Sequence, residues 1–410
     1  MKSAALISIG NELLSGETVD TNVSYLCRHL LLCGIPTVNI FTVPDEISSI
    51  VDAFEQATRR ADVVLVTGGL GPTGDDVTRE ALAAFLKVEL RFCEDLQEQI
   101  AGFFARRGFE MAPSNRIQAF LPAGARALQN SQGTAPGIAV DWQGRFIACM
   151  PGVPAEMKQM FSDHLNDYLK QLAGGQSVAA RKLMCYGAGE STIASMLGER
   201  MERGRNPLVN STAQAGLVTI HIVAAAAEQA SAEQMVEHER AELCQILGNI
   251  IYGYDGQTMA EVVGAALADR GKTLAIAESC TGGLLGQLIT DVPGSSRYFK
   301  CGWITYSNEA KSRDLDVDSG LLEQCGAVSE EVAQAMALGA RKKAGADYGI
   351  AITGIAGPDG GTEAKPVGLV YIALNTINGS RCERFVFPFT RPIMRLRTAL
   401  AALNMLRLEL

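Results

Sequence analysis

Histidines, cysteine pairs and long apolar runs are scarce or absent in this chain of 410 residues, and each absence excludes a class of protein. The ten cysteines are dispersed and form no C-x-x-C pair, which argues against a zinc site or a disulfide framework and predicts reduced thiols in a cytoplasmic protein. No stretch reaches the roughly 18 apolar residues that a membrane span needs. The formal net charge of −9 disfavours broad electrostatic binding to nucleic acid. Binding through a local basic patch stays open as the alternative.

The distribution of histidine excludes one catalytic arrangement from the last part of the chain. All four histidines, at positions 29, 164, 221 and 238, precede residue 257. A Ser-His-Asp triad is therefore excluded after that point. A serine nucleophile there would need a lysine with a lowered pKa, or a Tyr–Lys pair, as its base.

Length and pattern predict an α/β protein of three domains. Residues 1–172 alternate apolar strands with amphipathic helices, which predicts a parallel sheet covered on both faces, and the opening MKSAALISIG is expected to be its buried first strand, not a signal peptide. Residues 173–256 follow the order β-α-β-β-α-β of a small split βαβ module. Its GAGES turn offers no G-x-x-G with basic neighbours, so a spacer or interdomain clamp is favoured over an RNA clamp. Residues 257–410 predict a second, independent α/β layer fold.

Local signals predict where several elements begin and end. Asp20 is the expected N-cap and Gly34 the expected stop of the first long helix. A hairpin is expected around Trp142–Gly144. One helix is expected over Cys280–Ile289 and a last one from about Met394 to the final residue.

The stretch AESCTGG, Ala277–Gly283, connects an apolar strand to a helix. Ligands of open α/β sheets bind at such corners, and the free N–H groups of a helix start suit a phosphate or an oxyanion. Two interpretations stay open from these residues. Either Ser279 or Thr281 only caps the helix while the two glycines allow close packing, or this stretch carries the catalytic group.

Two further stretches end strands in the same way. In GWITYSNEAK, Gly302–Lys311, the lysine is the candidate base for a serine, and an ordinary surface lysine is the alternative. In TGIAGPDGG, Thr353–Gly361, glycines and a proline allow the backbone to approach a ligand. Three such corners imply one pocket for a polar, phosphorylated molecule.

These stretches, with GAVSEEVAQAMA and the continuation TEAKPVG, closely resemble the C-terminal domain of the CinA family, the competence/damage-inducible proteins. The resemblance spans Gln257–Leu410. It implies a nicotinamide mononucleotide (NMN) deamidase, which converts NMN and water to nicotinic acid mononucleotide and ammonia without a cofactor. It also implies that Ser279 is the catalytic hydroxyl and that Tyr306 and Lys311 activate it. The ligand-contacting residues implied by the resemblance are Thr281, Gly282, Gly283, Asn308, Thr353, Gly354 and Arg391.

The last of these motifs departs from the family. The family's last strand usually ends in Phe-x-Gly-Asp-Arg, whereas this chain has FPFTRPIMR. Arg391 is kept and is expected to hold phosphate, although Thr390 and Pro392 replace its usual neighbours. Cys280 is the alternative nucleophile, since a helix start lowers a thiol pKa, but the family assigns the serine.

A separate motif, GGLGPTGDDVTREALA at Gly68–Ala84, follows a strand of the N-terminal region. Its exposed backbone N–H groups suit a phosphate or pyrophosphate, and its two aspartates suit a bridging divalent cation. No Gly-Lys-Ser/Thr follows, so it is not a Walker A loop. The alternative is that the aspartates only cap a helix. The candidate residues are Gly68, Gly69, Gly71 and Thr73 for the ligand, and Asp75 and Asp76 for the metal.

Three further stretches of this region are GNELLSGETVDTN, NSQGTAPG and MPGVPAEM, and the first contains Asn22 as a further ligand candidate. Together with the Gly68–Ala84 motif, they closely resemble the molybdopterin-binding-like domain of CinA proteins across residues 1–172. The resemblance implies a divalent-metal-dependent ADP-ribose pyrophosphatase that yields AMP and ribose 5-phosphate. The likeness to cofactor-synthesis enzymes is one of fold only.

The prediction is therefore a cytoplasmic, bifunctional hydrolase of pyridine-nucleotide recycling. Its partners are the small molecules NMN and ADP-ribose, with no membrane and no direct nucleic-acid partner, and the resemblance implies a homodimer. Two alternatives stay open: a molybdopterin-type nucleotide-binding protein whose C-terminal domain is a relic, and a non-catalytic competence or DNA-repair adaptor.

Overall fold

The computed structural model describes residues 2–175 and 177–410, which form two compact units. The first comprises the chain up to Ala180 together with Ala224–Met235, and the second comprises Arg181–Val223 and Val236–Leu410. Within the described residues, no helix combines the length and the apolar character required to cross a membrane.

The N-terminal region is an α/β structure around one six-stranded sheet. Its strands are β1 (Ala4–Ile9), β2 (Thr37–Val43), β3 (Val63–Thr67), β4 (Leu90–Phe92), β5 (Phe120–Pro122), β6 (Arg126–Leu128), β7 (Gly137–Trp142) and β8 (Arg145–Met150). Its helices are α1 (Asn11–Leu14), α2 (Thr21–Leu32), α3 (Ile47–Arg60), α4 (Thr78–Leu86), α5 (Glu94–Ala105), α6 (Pro154–Met160) and α7 (Asn166–Leu172). The sheet order is β2-β1-β3-β8-β7-β6, and β4 pairs separately with β5.

The expected parallel sheet is confirmed for β2, β1, β3 and β8, whereas at one edge β7 pairs antiparallel with β8, and β6 pairs antiparallel with β7. β1, β3 and β8 are buried on both faces, as in sheets covered by helices on two sides, whereas the edge strand β2 exposes alternate residues. Ile7 and Val66 belong to the apolar layer that includes α3 and α4, while Leu6 and Leu65 belong to the layer that includes α2 and α6. β1 and β3 therefore contribute alternate residues to the two layers.

Two local predictions for this region are confirmed. The Asp20 carboxylate caps α2 by accepting a hydrogen bond from the Val23 N–H at 3.0 Å, and Gly34 follows the helix with a left-handed φ of 78°. The expected hairpin joins β7 to β8, with positive φ angles at Gln143 and Gly144.

The middle module has the predicted order β-α-β-β-α-β. Its elements are β9 (Ser177–Tyr186), α8 (Glu190–Leu197), β10 (Leu208–Gln214), β11 (Leu217–Ala226), α9 (Gln229–Leu247) and β12 (Ile251–Tyr254). They form a four-stranded sheet of order β10-β11-β9-β12.

The C-terminal region is a second α/β structure. Its strands are β13 (Leu274–Glu278), β14 (Phe299–Ile304), β15 (Tyr348–Gly354), β16 (Leu369–Thr376) and β17 (Gly379–Val386). Its helices are α10 (Met259–Asp269), α11 (Leu284–Thr290), α12 (Asn308–Leu315), α13 (Ser319–Cys325), α14 (Glu330–Ala344) and α15 (Arg391–Glu409). The sheet order is β14-β13-β15-β16-β17.

This sheet brings the three predicted corners to one edge. β13 lies between β14 and β15 and is parallel to both, so that Glu278 is level with Ile304 and Ile352. The stretches AESCTGG, TYSNEAK and TGIAGPDGG therefore all leave the sheet on the same side.

Two helix boundaries differ from prediction. The helix expected from Cys280 begins at Leu284, because Gly282 and Gly283 adopt left-handed φ angles of 56° and 95° that interrupt a right-handed helix. The last helix begins at Arg391 and not at Met394, since a proline is tolerated in the first helical turn.

Candidate active sites

The turn that carries Ser279 is fixed by the residue before it. Glu278 ends β13, and its buried carboxylate accepts hydrogen bonds from the N–H groups of Gly283, Leu285 and Gly286 at 3.0, 3.1 and 2.8 Å. Glu278 thus satisfies the start of α11, and neither Ser279 nor Thr281 caps that helix. The interpretation of these hydroxyls as N-caps is wrong.

Lys311 lies directly against Ser279. The lysine is only 1% exposed, and its Nζ donates hydrogen bonds to Ser279 Oγ at 3.3 Å and to the Thr305 carbonyl at 2.8 Å. Burial lowers the pKa of Lys311 because the charged form loses hydration, and no acid forms a salt bridge with it in the described part of the chain. The alternative of an ordinary surface lysine is therefore wrong.

The Tyr306 hydroxyl lies away from this pair. The tyrosine is 62% exposed, and its hydroxyl accepts a hydrogen bond from Arg391 Nη2 at 3.1 Å. No hydrogen bond joins that hydroxyl to Ser279 or Lys311 in the described structure; only the Tyr306 carbonyl accepts from Lys311 Nζ, at 3.5 Å. The geometry therefore supports direct contact between serine and lysine, without a tyrosine relay.

The backbone amides of this corner are only partly available to a ligand. The Gly282 N–H donates to the Ser279 carbonyl at 3.1 Å, and the Gly283 N–H donates to Glu278. In the part of the chain that the structure describes, the amides of Cys280 and Thr281 have no main-chain acceptor. An oxyanion site at this turn would therefore use these two amides in place of Gly282 and Gly283.

Cys280 is poorly suited to be the nucleophile. Its side chain is 5% exposed, and burial raises the pKa of the thiol to about 12. The thiol form is thus favoured at neutral pH, whereas attack requires the thiolate.

Three other predicted ligand residues have different surroundings. The Thr353 hydroxyl is buried and donates to the Ala327 carbonyl at 2.7 Å. At Gly354, a Cβ would approach the Leu369 carbonyl to 2.6 Å, so glycine is required for packing. Asn308 is exposed at the start of α12, where the Ser307 hydroxyl provides the cap.

Arg395 is a site residue that the sequence analysis missed. Its Nε donates to the Thr281 carbonyl at 3.0 Å, so its guanidinium lies on the AESCTGG turn. Arg391, one helical turn earlier on α15, donates to the Gly357 carbonyl at 2.9 Å. The sequence offered one signal for Arg395: it lies four residues after Arg391, the expected phosphate-binding residue, and therefore on the same face of a helix.

A separate open pocket of about 450 Å³ lies at the carboxyl ends of β1, β3 and β8. It brings together most of the predicted N-terminal candidates with residues from the other predicted corners. The lining includes Gly68, Gly69, Gly71, Asp75, Asp76, Glu12, Asp45, Thr134, Gly152 and Glu156. Asn22 is buried behind it, where its amide donates to the Gly152 carbonyl at 2.7 Å and its Oδ1 has no hydrogen-bond partner.

The glycines of the loop are required by close packing. Gly68 and Gly69 have φ angles of 106° and 63°, and a Cβ on them would overlap the Ile9 carbonyl and the Thr78 hydroxyl. The Asp76 carboxylate accepts from the N–H groups of Gly71 at 2.7 Å and Thr73 at 3.0 Å. It therefore closes the loop.

The aspartates do not cap the following helix. α4 begins at Thr78 with no side-chain cap, so the capping interpretation is wrong. Asp75 is exposed and its carboxylate accepts from the Thr73 hydroxyl, which also contacts Asp76. Within residues 2–175 and 177–410, no group of three or more His, Cys, Asp or Glu side chains could hold a metal ion.

Arg79 is the second residue that the sequence analysis missed. It is 1% exposed, and its Nη1 and Nη2 each donate at 2.7 Å, to the carbonyls of Leu70 and Gly71 respectively. The buried guanidinium thus holds the backbone of the glycine loop in place through these two hydrogen bonds. Its position in the helical pattern TREALAAF, among apolar residues, was the only sequence signal.

Three family models match successive parts of the chain. They are "Probable molybdopterin binding domain" over residues 5–171, "Damage-inducible protein CinA KH domain" over residues 180–253 and "CinA C-terminal domain" over residues 256–410. The middle module is therefore KH-like.

Two curated relatives and one solved structure illustrate the similarity. A competence-damage inducible protein of Symbiobacterium thermophilum is 43% identical over 374 residues, covering 90% of this chain and 88% of that protein. One of Caldanaerobacter subterraneus subsp. tengcongensis is 40% identical over 402 residues, covering 98% and 97%. The crystal structure of a CinA protein of unknown function from Thermoplasma acidophilum is 35% identical, covers 40% of this chain and 97% of that chain, and gives a TM-score of 0.38.

The full-length matches and the succession of three domain models lead to one conclusion. This chain belongs to the CinA family of competence-damage inducible proteins, with a molybdopterin-binding-like domain, a KH-like module and a CinA C-terminal domain.

Proposed function

We propose that the C-terminal domain hydrolyses the carboxamide of NMN to nicotinic acid mononucleotide and ammonia. The observation that carries this proposal is the buried Lys311 Nζ at 3.3 Å from Ser279 Oγ. A lysine whose pKa is lowered by burial can be neutral near physiological pH, and only the neutral amine can accept the serine proton.

The reaction follows from these positions. Ser279 Oγ attacks the carboxamide carbon while Lys311 takes its proton, and the amides of Cys280 and Thr281 would donate to the developing oxyanion. Lys311 returns the proton to the leaving ammonia. Water then hydrolyses the nicotinoyl ester and regenerates the serine.

The phosphate of NMN is assigned to α15. Glu278 already occupies the N–H groups at the start of α11, so that helix start offers little to a second anion. Arg391 and Arg395 provide two guanidinium groups one turn apart, and Arg395 contacts the Thr281 carbonyl. Planar guanidinium groups bind phosphate well.

Ammonia release from NMN by the purified protein tests this proposal. Ser279→Ala should lower kcat roughly 10²-fold or more. Ser296→Ala changes an exposed serine of the same domain and should leave the rate unchanged. A wild-type protein that binds but does not hydrolyse NMN would instead favour the non-catalytic adaptor.

We further propose that the N-terminal pocket cleaves ADP-ribose with the help of a divalent cation. The described lining of the pocket contains five carboxylates and no lysine or arginine, so an anionic pyrophosphate needs a cation to enter it. Mg²⁺ commonly takes one or two protein carboxylates together with phosphate oxygens, which fits this donor set without a three-ligand cluster. Bound there, a cation would neutralise the pyrophosphate charge. Asp75 and Asp76 would hold it, while Asp76 and Arg79 also keep the glycine loop in shape.

Metal-dependent release of AMP from ADP-ribose tests the second activity. Asp75→Asn and Asp76→Asn should each sharply reduce it and spare NMN hydrolysis, whereas Asp52→Asn, an exposed change on α3, should spare both. Binding of a molybdopterin compound without cleavage of ADP-ribose would favour the alternative of a cofactor-binding protein.

A further inference from the structure

A cavity of about 570 Å³ lies within the second compact unit, apart from the residues of both candidate sites. Its walls come from the turn after β9, the turn between β10 and β11, the edge strand β17 and the helix α15. Its volume falls in the range of about 300–1,000 Å³ that is usual for small-molecule sites. None of the proposed hydrolytic steps uses it.

One wall of the cavity is aromatic. Phe385 and Phe387 lie on the same side of the chain at the end of β17, with ring centroids 5.4 Å apart and planes within 9° of parallel. Tyr186 adds a third aromatic side chain. Such a wall favours a planar ring in the ligand.

The cavity contains one unpaired charge. Arg397 has no acidic partner within salt-bridge distance in the described chain, and its buried Nε has no hydrogen-bond partner. The two acids of the cavity are engaged elsewhere: Glu190 accepts from the Ser211 hydroxyl at 2.7 Å, and Glu383 pairs with Arg381 at 3.3 Å. A free, planar guanidinium group suits a phosphate.

Arg397 is also held in place. Its Cζ lies 4.1 Å from the centroid of the Phe389 ring, in a cation–π contact. Gly216 also lies against the guanidinium: it adopts a φ of 89°, and a Cβ there would approach Arg397 to about 2.9–3.0 Å. The guanidinium is therefore in contact with both a ring and a tight turn, which limits its motion and reduces the entropy lost on binding.

We propose that this cavity binds a nucleoside monophosphate, with the base against Phe385 and Phe387 and the phosphate on Arg397. The remaining carboxylate oxygens of Glu190 and Glu383 would accept hydrogen bonds from the sugar hydroxyls. The ligand site is distinct from the two proposed hydrolytic sites.

Photolabelling of the full chain with 8-azidoadenosine 5′-monophosphate tests this proposal. Mass spectrometry should locate the label on peptides that contain Tyr186 or Phe385, and excess AMP should suppress it. Arg397→Gln should weaken AMP protection of these peptides at least about tenfold, the scale of one charged hydrogen bond. The control is Arg384→Gln, which changes an exposed arginine on β17, the strand that contains Phe385, and should leave labelling and protection unchanged.

A second variant and a competitor separate the components of the site. Phe385→Leu keeps an apolar side chain but removes the ring, and it should weaken AMP protection, while inorganic phosphate should compete far less well than AMP. Label confined to the N-terminal domain, equal protection in Arg397→Gln and the wild type, or equal competition by phosphate and AMP would each overturn the proposal. Circular dichroism and NMN hydrolysis establish that each variant is folded.

Discussion

The most informative single residue is Lys311, because its surroundings change its chemistry. An exposed lysine keeps a proton up to a pKa of about 10.4. Burial lowers the pKa of Lys311, and the contact with Ser279 places the amine where a serine proton must go. Burial thus converts an otherwise charged side chain into a candidate base.

The lowered pKa predicts the pH dependence of NMN hydrolysis. Since the neutral amine is the active form, kcat/KM should rise with pH and level off above a pKa clearly below that of free lysine. Lys311→Arg should remove this rise together with most of the activity, because a guanidinium group keeps its proton. A pH–rate profile on the two proteins checks this, with the exposed Lys300→Arg as control. A rise centred near pH 10.4 would show that burial has no functional effect.

At the scale of secondary structure, Glu278 connects the end of β13 to the start of α11. Its carboxylate satisfies three N–H groups that the helix itself leaves unpaired. The same residue accepts the Thr305 N–H on its carbonyl at 2.8 Å, which links it to the segment before Lys311. The position of Ser279 therefore depends on a residue that need not touch the substrate.

Glu278→Ala should destabilise the protein by about 2 kcal/mol or more, because it leaves buried donors unpaired. It should also lower kcat for NMN more than it raises KM, since the nucleophile moves while the arginines of α15 remain. Chemical denaturation and steady-state kinetics measure the two effects. Glu323→Ala, on the exposed face of α13, is the matched control, and equal stability of the two variants would contradict the capping role.

The elements of this protein are more predictable than their contacts. Apolar runs predicted the longer strands and the order of the elements predicted the middle module, whereas the short strands β4, β5 and β6 were not predicted. The predicted start of α11 was wrong because Gly282 and Gly283 have positive φ angles, and such a backbone interrupts a right-handed helix. The sequence does not predict the positions of Arg79 and Arg395, because the backbone carbonyls to which they donate hydrogen bonds are brought near them only by tertiary folding.

On the scale of the whole molecule, all proposed deamidase residues lie between Ser279 and Arg395, on one sheet and its helices. A chain that starts at Tyr254 should therefore hydrolyse NMN at nearly the full rate. Its melting temperature should fall, because Tyr252 belongs to the same apolar core and is lost. A fragment that melts cooperatively but lacks activity would show that the remaining chain contributes to the site.

Ser279 and Lys311 are proposed to act together in one step of NMN hydrolysis. The rate of ammonia release from NMN by Ser279→Ala, Lys311→Met and the double variant, with Cys280→Ser as control, tests this coupling. We expect each single change to lower kcat by roughly 10²-fold or more, the double variant to be little worse, and the control to stay active. Losses that multiply in the double variant would show that the two side chains act independently, and an inactive Cys280→Ser beside an active Ser279→Ala would show that Ser279 is not the nucleophile.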